Sequence, residues 1–124
     1  MSQKGIPLVD EVERALIALA VESWRFSRAF ARLTRKLELT DAARYVSQFD
    51  YFQNAIGESL QAAAMALVNL EGQEFDPGMA VTAVNLGDFT AADRLLVEQM
   101  IEPIVMGREG LLRQGLVMLK KWPS

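Results

Sequence analysis

Histidine and cysteine are both absent from this chain of 124 residues, and the two gaps exclude much chemistry. Without histidine, no side chain has an ordinary pKa near neutrality, and the commonest transition-metal ligand is missing. Without cysteine there is no thiol nucleophile, thiolate metal site or disulfide framework, which is compatible with the reducing cytoplasm where we place the protein. Charge of either sign is modest. The net value of −3 offers no general attraction to nucleic acid or an anionic membrane, and neither is expected as a partner. Long hydrophobic runs are also lacking. Glu22, Arg25 and Arg28 interrupt the first apolar stretch well short of the roughly 18 residues of a membrane span. Met1 to Pro7 has no apolar core of the kind found in a signal peptide. Phosphate-binding glycine loops, a nucleophile elbow and an EF-hand loop are missing. A catalyst would have to run on carboxylates, Lys, Tyr, Ser or Thr. No converging set of these is evident, so we expect no catalytic residues, no metal site and no cofactor.

What the chain does contain is apolar spacing. Val12, Leu16, Leu19, Ser23, Phe26, Phe30, Leu33 and Leu37 alternate by three and four. So do Val46, Phe49, Gln53, Ile56, Leu60, Ala63, Leu67 and Leu70. A 3.5-residue period keeps one seam facing a partner helix along its length. The spacing predicts helices from Leu8 to about Leu37 and from Asp41 to about Leu70, folded back as an antiparallel hairpin through Glu38 to Thr40. Pro7 suits the first turn of the first helix, and Thr40 suits the cap of the second. Gly57 and the alanines at 62, 63, 64 and 66 suggest close backbone approach. A hairpin this long carries more apolar side chain than its own two faces cover. It needs a partner.

After Leu70 the character changes. Glu71-Gly72-Gln73 breaks the helix and Asp76-Pro77-Gly78 is turn chemistry. Met79 to Asn85 has the mixture of a short strand, and Leu86-Gly87-Asp88 that of a turn. Residues 91–106 are ambiguous. Leu96, Val97, Met100, Ile101, Ile104 and Val105 share a helical face, yet Pro103 would sit deep inside that helix at a cost of about 3 kcal/mol. Leu95, Val97, Ile101 and Val105 alternate as in a strand. Met106 to Gly110 then reads as a glycine-bounded turn and Leu111 to Lys121 as a strand.

The order of parts and three local strings resemble GrpE, the nucleotide exchange factor of DnaK-type chaperone ATPases. Pro7 to Leu16 (PLVDEVERAL) is similar to the start of the family's helical bundle. Phe75-Asp76-Pro77 is similar to its turn before the β-domain, and Gly107 to Val117 (GREGLLRQGLV) to its closing hairpin. There are differences. The family's His-Glu-Ala-Val is here Ala80-Val81-Thr82-Ala83, its Gly-Tyr corresponds to Pro103-Ile104, and its Arg-Pro-Ala to Arg113-Gln114-Gly115. Only six residues precede Pro7, where the family carries a paired-helix stalk. The resemblance implies strand over 94–106 and an α+β fold: a dimeric four-helix bundle built from hairpins, then a small C-terminal β-domain, divided here as 1–72 and 73–124. It implies a homodimer whose β-domain docks on the ATPase and promotes ADP release. The dimer interface would be Val12, Leu16, Leu19, Phe26, Phe30, Phe49, Ile56 and Leu60. The partner-binding set would be Asp76, Pro77, Gly107, Arg108, Arg113 and Val117. A dimeric adaptor of the same shape that does not exchange nucleotide is the alternative.

Other features have plainer readings. Arg25, Arg28, Arg32 and Arg35 form a stripe that reads as a solvated face. Trp24, Phe26, Phe30, Phe49, Tyr51 and Phe52 read as helix packing. Glu98 and Glu102 read as an exposed polar edge, with no third ligand for a cation.

Overall fold

The computed structural model describes residues 9–37 and 39–123, with side-chain surroundings for 10–37 and 41–123. Pro7 and Leu8, expected at the start of the first helix, lie outside the described residues. The protein is α+β: two helices followed by two small three-stranded sheets. It divides into two compact units, Met1–Glu58 and Ser59–Ser124, where the sequence places the change at 72/73.

Helix α1 spans Val9–Thr34 with no glycine or proline inside. Asp10 and Glu11 lie in its first turn and Arg32 in its last, complementing the helix dipole. Its end tightens into short turns, with Lys36 N–H donating to Leu33 O at 3.1 Å and Leu37 N–H to Thr34 O at 3.2 Å. Helix α2 spans Leu39–Ala62, so Thr40 is already inside it. The helices run antiparallel, because Phe26 meets Phe52 while Phe30 meets Phe49 and Tyr45.

The second helix stops eight residues before Leu70, and the reason is local. Ala64 adopts φ 58°, the left-handed conformation usually given to glycine at a helix end. Its N–H donates to Gln61 O at 2.9 Å, and Met65 N–H donates to Leu60 O at 2.9 Å. This is a Schellman stop, with Leu60 and Met65 both buried. The alanines therefore end a helix where close helix approach was expected. Gly57 has nothing of its own chain within 4 Å of where a Cβ would stand, so it marks no close crossing within the chain.

Strand β1 follows at once, Ala66–Val68, then β2 at Val81–Ala83 and a 3-10 turn at Leu86–Asp88. Residues 95–121 form one long hairpin in four pieces: β3 Leu95–Glu102, β4 Ile104–Gly107, β5 Gly110–Arg113 and β6 Gly115–Lys121. Leu95 pairs with Lys121 at its base and Gly107 with Gly110 at its tip. Only Pro103 separates β3 from β4, and only Gln114 separates β5 from β6. Pro103 is fully buried and has no N–H for a ladder. The hairpin changes sheet at these two residues. On the β3–β6 side of that change β2 adds in parallel to residues 115–117 of β6, giving the order β2-β6-β3. At its tip β1 adds antiparallel to β4, giving β1-β4-β5.

Within the ambiguous segment 91–106, residues 95–102 and 104–106 are strand and 91–94 are not. Register shifts after Val97 and after Met100 change which parity faces inward. Leu95 and Val97 are buried, then Met100, Glu102 and Ile104, so simple alternation misplaced Ile101, which is only half-buried. Met100, Leu119, Val97, Val105 and Val117 fill the core with Pro103.

The outer edge of β3 is not bare. Gly72 (φ 87°) and Gln73 exchange hydrogen bonds with Val97, and Phe75 N–H donates to Leu95 O at 2.8 Å. Glu71 Oε2 accepts from Met100 N–H at 2.8 Å. The string read as a helix breaker is an edge cover, which protects the ladder from stray pairing. Asn85 does similar work beyond β2. Its Nδ2 donates to Leu119 O at 2.8 Å and its Oδ1 accepts from Leu119 N–H at 2.9 Å.

Candidate partner-binding surfaces

Two surfaces remain after folding, one on each unit. On α1, Val12, Leu19, Phe26 and Leu33 recur every seven residues and are 53, 66, 60 and 57 % exposed. The side chains buried on this helix are instead Ile17, Ala20, Val21 and Ser27, on a different stripe. Leu16 and Phe30 are half-buried, as are Phe49 and Ile56 on α2. Tyr45, Val46 and Phe52 add exposed apolar surface on α2, and Phe52 stands edge-on to Phe26, ring centroids 6.4 Å apart. Leu60 is different. It is buried within the single chain, so it has no surface to give a dimer interface.

Large apolar residues at a strict heptad on an exposed face are unusual for a finished surface, where single exposed apolar residues are the norm. The arginine row beside them is partly engaged. Arg28 lies over the Trp24 ring at 4.4 Å, and Arg32 Nε donates to Arg28 O at 3.4 Å.

On the β unit, the expected partner-binding residues fall into three groups. Gly107, Arg108 and Arg113 gather on the hairpin tip, around β4 and β5. Gly107 packs so closely that a Cβ would meet Leu112 Cδ1 at 2.7 Å, and Gly110 has φ 125°. Arg108 is exposed between them. Asp76 and Pro77 are exposed elsewhere, in a turn where Asp76 Oδ1 accepts from Gly78 N–H at 3.1 Å. Phe75 is tied to the start of β3 and Arg113 to its end, points about 23 Å apart along the strand at roughly 3.3 Å per residue. Val117 is fully buried in β6. It belongs to the core, and no partner can reach it.

Arg113 is held from behind. Its Nη2 donates to Glu102 Oε1 at 2.9 Å, with side chains 42 and 10 % exposed respectively. The carboxylate is inside while the guanidinium keeps a solvent-facing side, so the pair orients Arg113 rather than hiding it. Glu102 is therefore not part of an exposed polar edge, and the register shifts separate it from exposed Glu98. Reading residues one by one also missed Leu111 and Leu112, both exposed on β5, an outer strand of its sheet. Two leucines before Arg113 in a short strand were the signal available.

At the base, Arg94 makes a bidentate pair with Glu74, at 2.6 and 3.0 Å, and lies over the Trp122 ring at 4.5 Å. The hydrogen bond from Arg94, helped by its charge, holds the Glu74 carboxyl below its ordinary pKa. Asp93 is also lowered, first by the Thr90 N–H that donates to it and then by Lys121. These groups close the hairpin base. Arg94, Glu74 and Lys121 are exposed, and Asp93 and Trp122 are half-buried.

Among the described residues, no three His, Cys, Asp or Glu side chains come together as a metal site, and no helix is long and apolar enough to cross a membrane. Comparison with family models, with curated proteins and with solved structures gives no match.

Proposed function

We propose that the protein is a GrpE-like co-chaperone of the cytoplasm. It is a homodimer through its helical hairpins, joined as a four-helix bundle, and its β unit binds the nucleotide-binding domain of a DnaK-type ATPase and promotes ADP release. The observation that carries this reading is the hairpin tip. Arg113, the residue that matches the family's arginine, is oriented by Glu102 and follows exposed Leu111 and Leu112 on β5, while Arg108 is exposed in the turn between β4 and β5. A protein with that surface can bind one state of an ATPase better than another and shift its population without taking part in the chemistry. The order of elements, an antiparallel hairpin and then a small β unit closed by a terminal hairpin, supports the same reading.

The test is release of labelled ADP from the ATPase. Addition of the protein accelerates release, and Arg113→Ala weakens the acceleration about tenfold, the ratio set by about 1.4 kcal/mol of lost contact. No acceleration together with no binding to the nucleotide-binding domain overturns the proposal. A dimeric adaptor that does not exchange nucleotide is the second reading. It is favoured by Ala80 to Ala83, where the family histidine is replaced and residues 81–83 are occupied in pairing with β6. Capture from cell extract separates the two, since only the co-chaperone takes the ATPase as its main partner.

A further inference from the structure

Helix α2 carries one glycine, and nothing in the packing of the chain asks for it. Gly57 is exposed and has nothing of its own chain within 4 Å of where a Cβ would stand. Its φ is not positive, so no left-handed turn requires it either. A glycine inside a helix is a weak point, because its backbone gives up more freedom there than that of any other residue.

Its position gives that weakness a use. The chain divides into its two units between Glu58 and Ser59, while α2 runs on through the division to Ala62. Before the division, Phe49 and Phe52 hold α2 against Phe30 and Phe26 of α1, with ring centroids 5.5 and 6.4 Å apart. After it, Leu60 is buried and its carbonyl oxygen accepts from Met65 N–H at 2.9 Å, which ties the last turn to the start of the β unit. From Gln53 to Ser59 no side chain is buried. A helix anchored at both ends of such a stretch bends where its backbone is softest and where water can reach the hydrogen bonds that open.

We infer that Gly57 is a hinge. Helix α2 bends there, and the β unit takes more than one orientation on the helical hairpin. Hinges are a few positions, often small residues, that absorb the change in φ and ψ between two packed bodies. Gly57 and Ser59 stand on either side of Glu58, and glycine with serine is one of the settings in which sharp helix bends are found. The inference is independent of which partner the β unit binds. It lets that unit meet a partner without repacking either core.

The absence of cysteine makes the test direct. Gln48→Cys on α2 and Lys120→Cys on β6 place one thiol in each unit, both at exposed positions. Spin labels on that pair, with excess unlabelled chain to suppress distances between copies, report the spread of distances across the hinge. The native chain gives a main distance and a second, minor component. Gly57→Ala lowers the minor fraction about fivefold, the ratio set by about 1 kcal/mol of helix propensity. Asn54→Ala, also exposed and on the same helix, leaves the distribution as in the native chain. A native distribution already as narrow as that of Gly57→Ala overturns the inference. Equal narrowing by Asn54→Ala also overturns it, because the softness then belongs to the whole helix. So does a fall in solution mass on Gly57→Ala, which makes Gly57 a crossing point for a second copy instead.

Discussion

The two units of this chain finish their surfaces in opposite ways. In the β unit, Val97, Met100, Val105, Val117 and Leu119 are fully buried, and the ladder edge along β3 is covered by residues 71–75. In the helical unit, four large apolar side chains stand more than half exposed at heptad spacing. Both units draw on apolar patterning, but only one buries its pattern within the single chain. The contrast teaches that the β unit closes its apolar core within the chain, whereas the helical unit leaves the apolar stripe that the proposed homodimer would cover.

The largest effect should come from the β core. Leu119→Ala lowers its stability by about 2–5 kcal/mol, because the cavity adds to the lost transfer energy. Loss of amide-exchange protection across β3 and β6 is the readout. Gly115→Ala comes next, at about 1–3 kcal/mol. A Cβ there meets Met100 Cε at 2.9 Å, the Glu102 carbonyl oxygen at 3.0 Å and Ile104 Cγ1 at 3.1 Å. The backbone oxygen cannot swing aside as a side chain could. Asn85→Ala should cost about 1–3 kcal/mol, because it leaves both Leu119 backbone groups without the partners they have in the native fold; denaturant midpoints measure it.

Phe26→Ser sharpens the contrast from the other side. On the β unit its effect stays within about 0.5 kcal/mol, as for surface substitutions generally, yet it should shift the molecule toward monomer. If Phe26→Ser strips exchange protection from β3 and β6 as strongly as Leu119→Ala does, the distinction between the units fails. The smallest effect is in acid. Glu74 and Asp93 hold protons less readily when folded, so their contribution is full above their ordinary values of 4.5 and 3.8 and disappears as pH falls through the lower folded values. Glu74→Gln should flatten that part of the stability profile. Glu74 is exposed and Asp93 partly so, which keeps the change small.

The helical pattern was readable in the sequence because α1 repeats its apolar residues for several turns without glycine or proline. Which stripe is buried was not readable. Ile17, Ala20, Val21 and Ser27 are no more apolar as a set than Val12, Leu19, Phe26 and Leu33, and periodicity alone does not rank two faces. The end of α2 escaped notice because Ala64 takes a left-handed conformation without being glycine. Strands at 95–107 were obscured by register shifts that break the simple odd alternation after Val97, while Pro103, which argued against a helix, proves to be the point where the hairpin changes sheet. Among candidate site residues, Arg108 and Arg113 fall on an exposed tip. Val117 and Leu60 matched a motif or a spacing, but hydrophobic residues in a motif are as often core as contact.

Sedimentation equilibrium of the full chain at micromolar concentration tests the central contrast most directly. A mass twice the 13.8 kDa of one chain is expected, returning toward 13.8 kDa for Phe26→Ser. A native chain that sediments as 13.8 kDa throughout that range would contradict it.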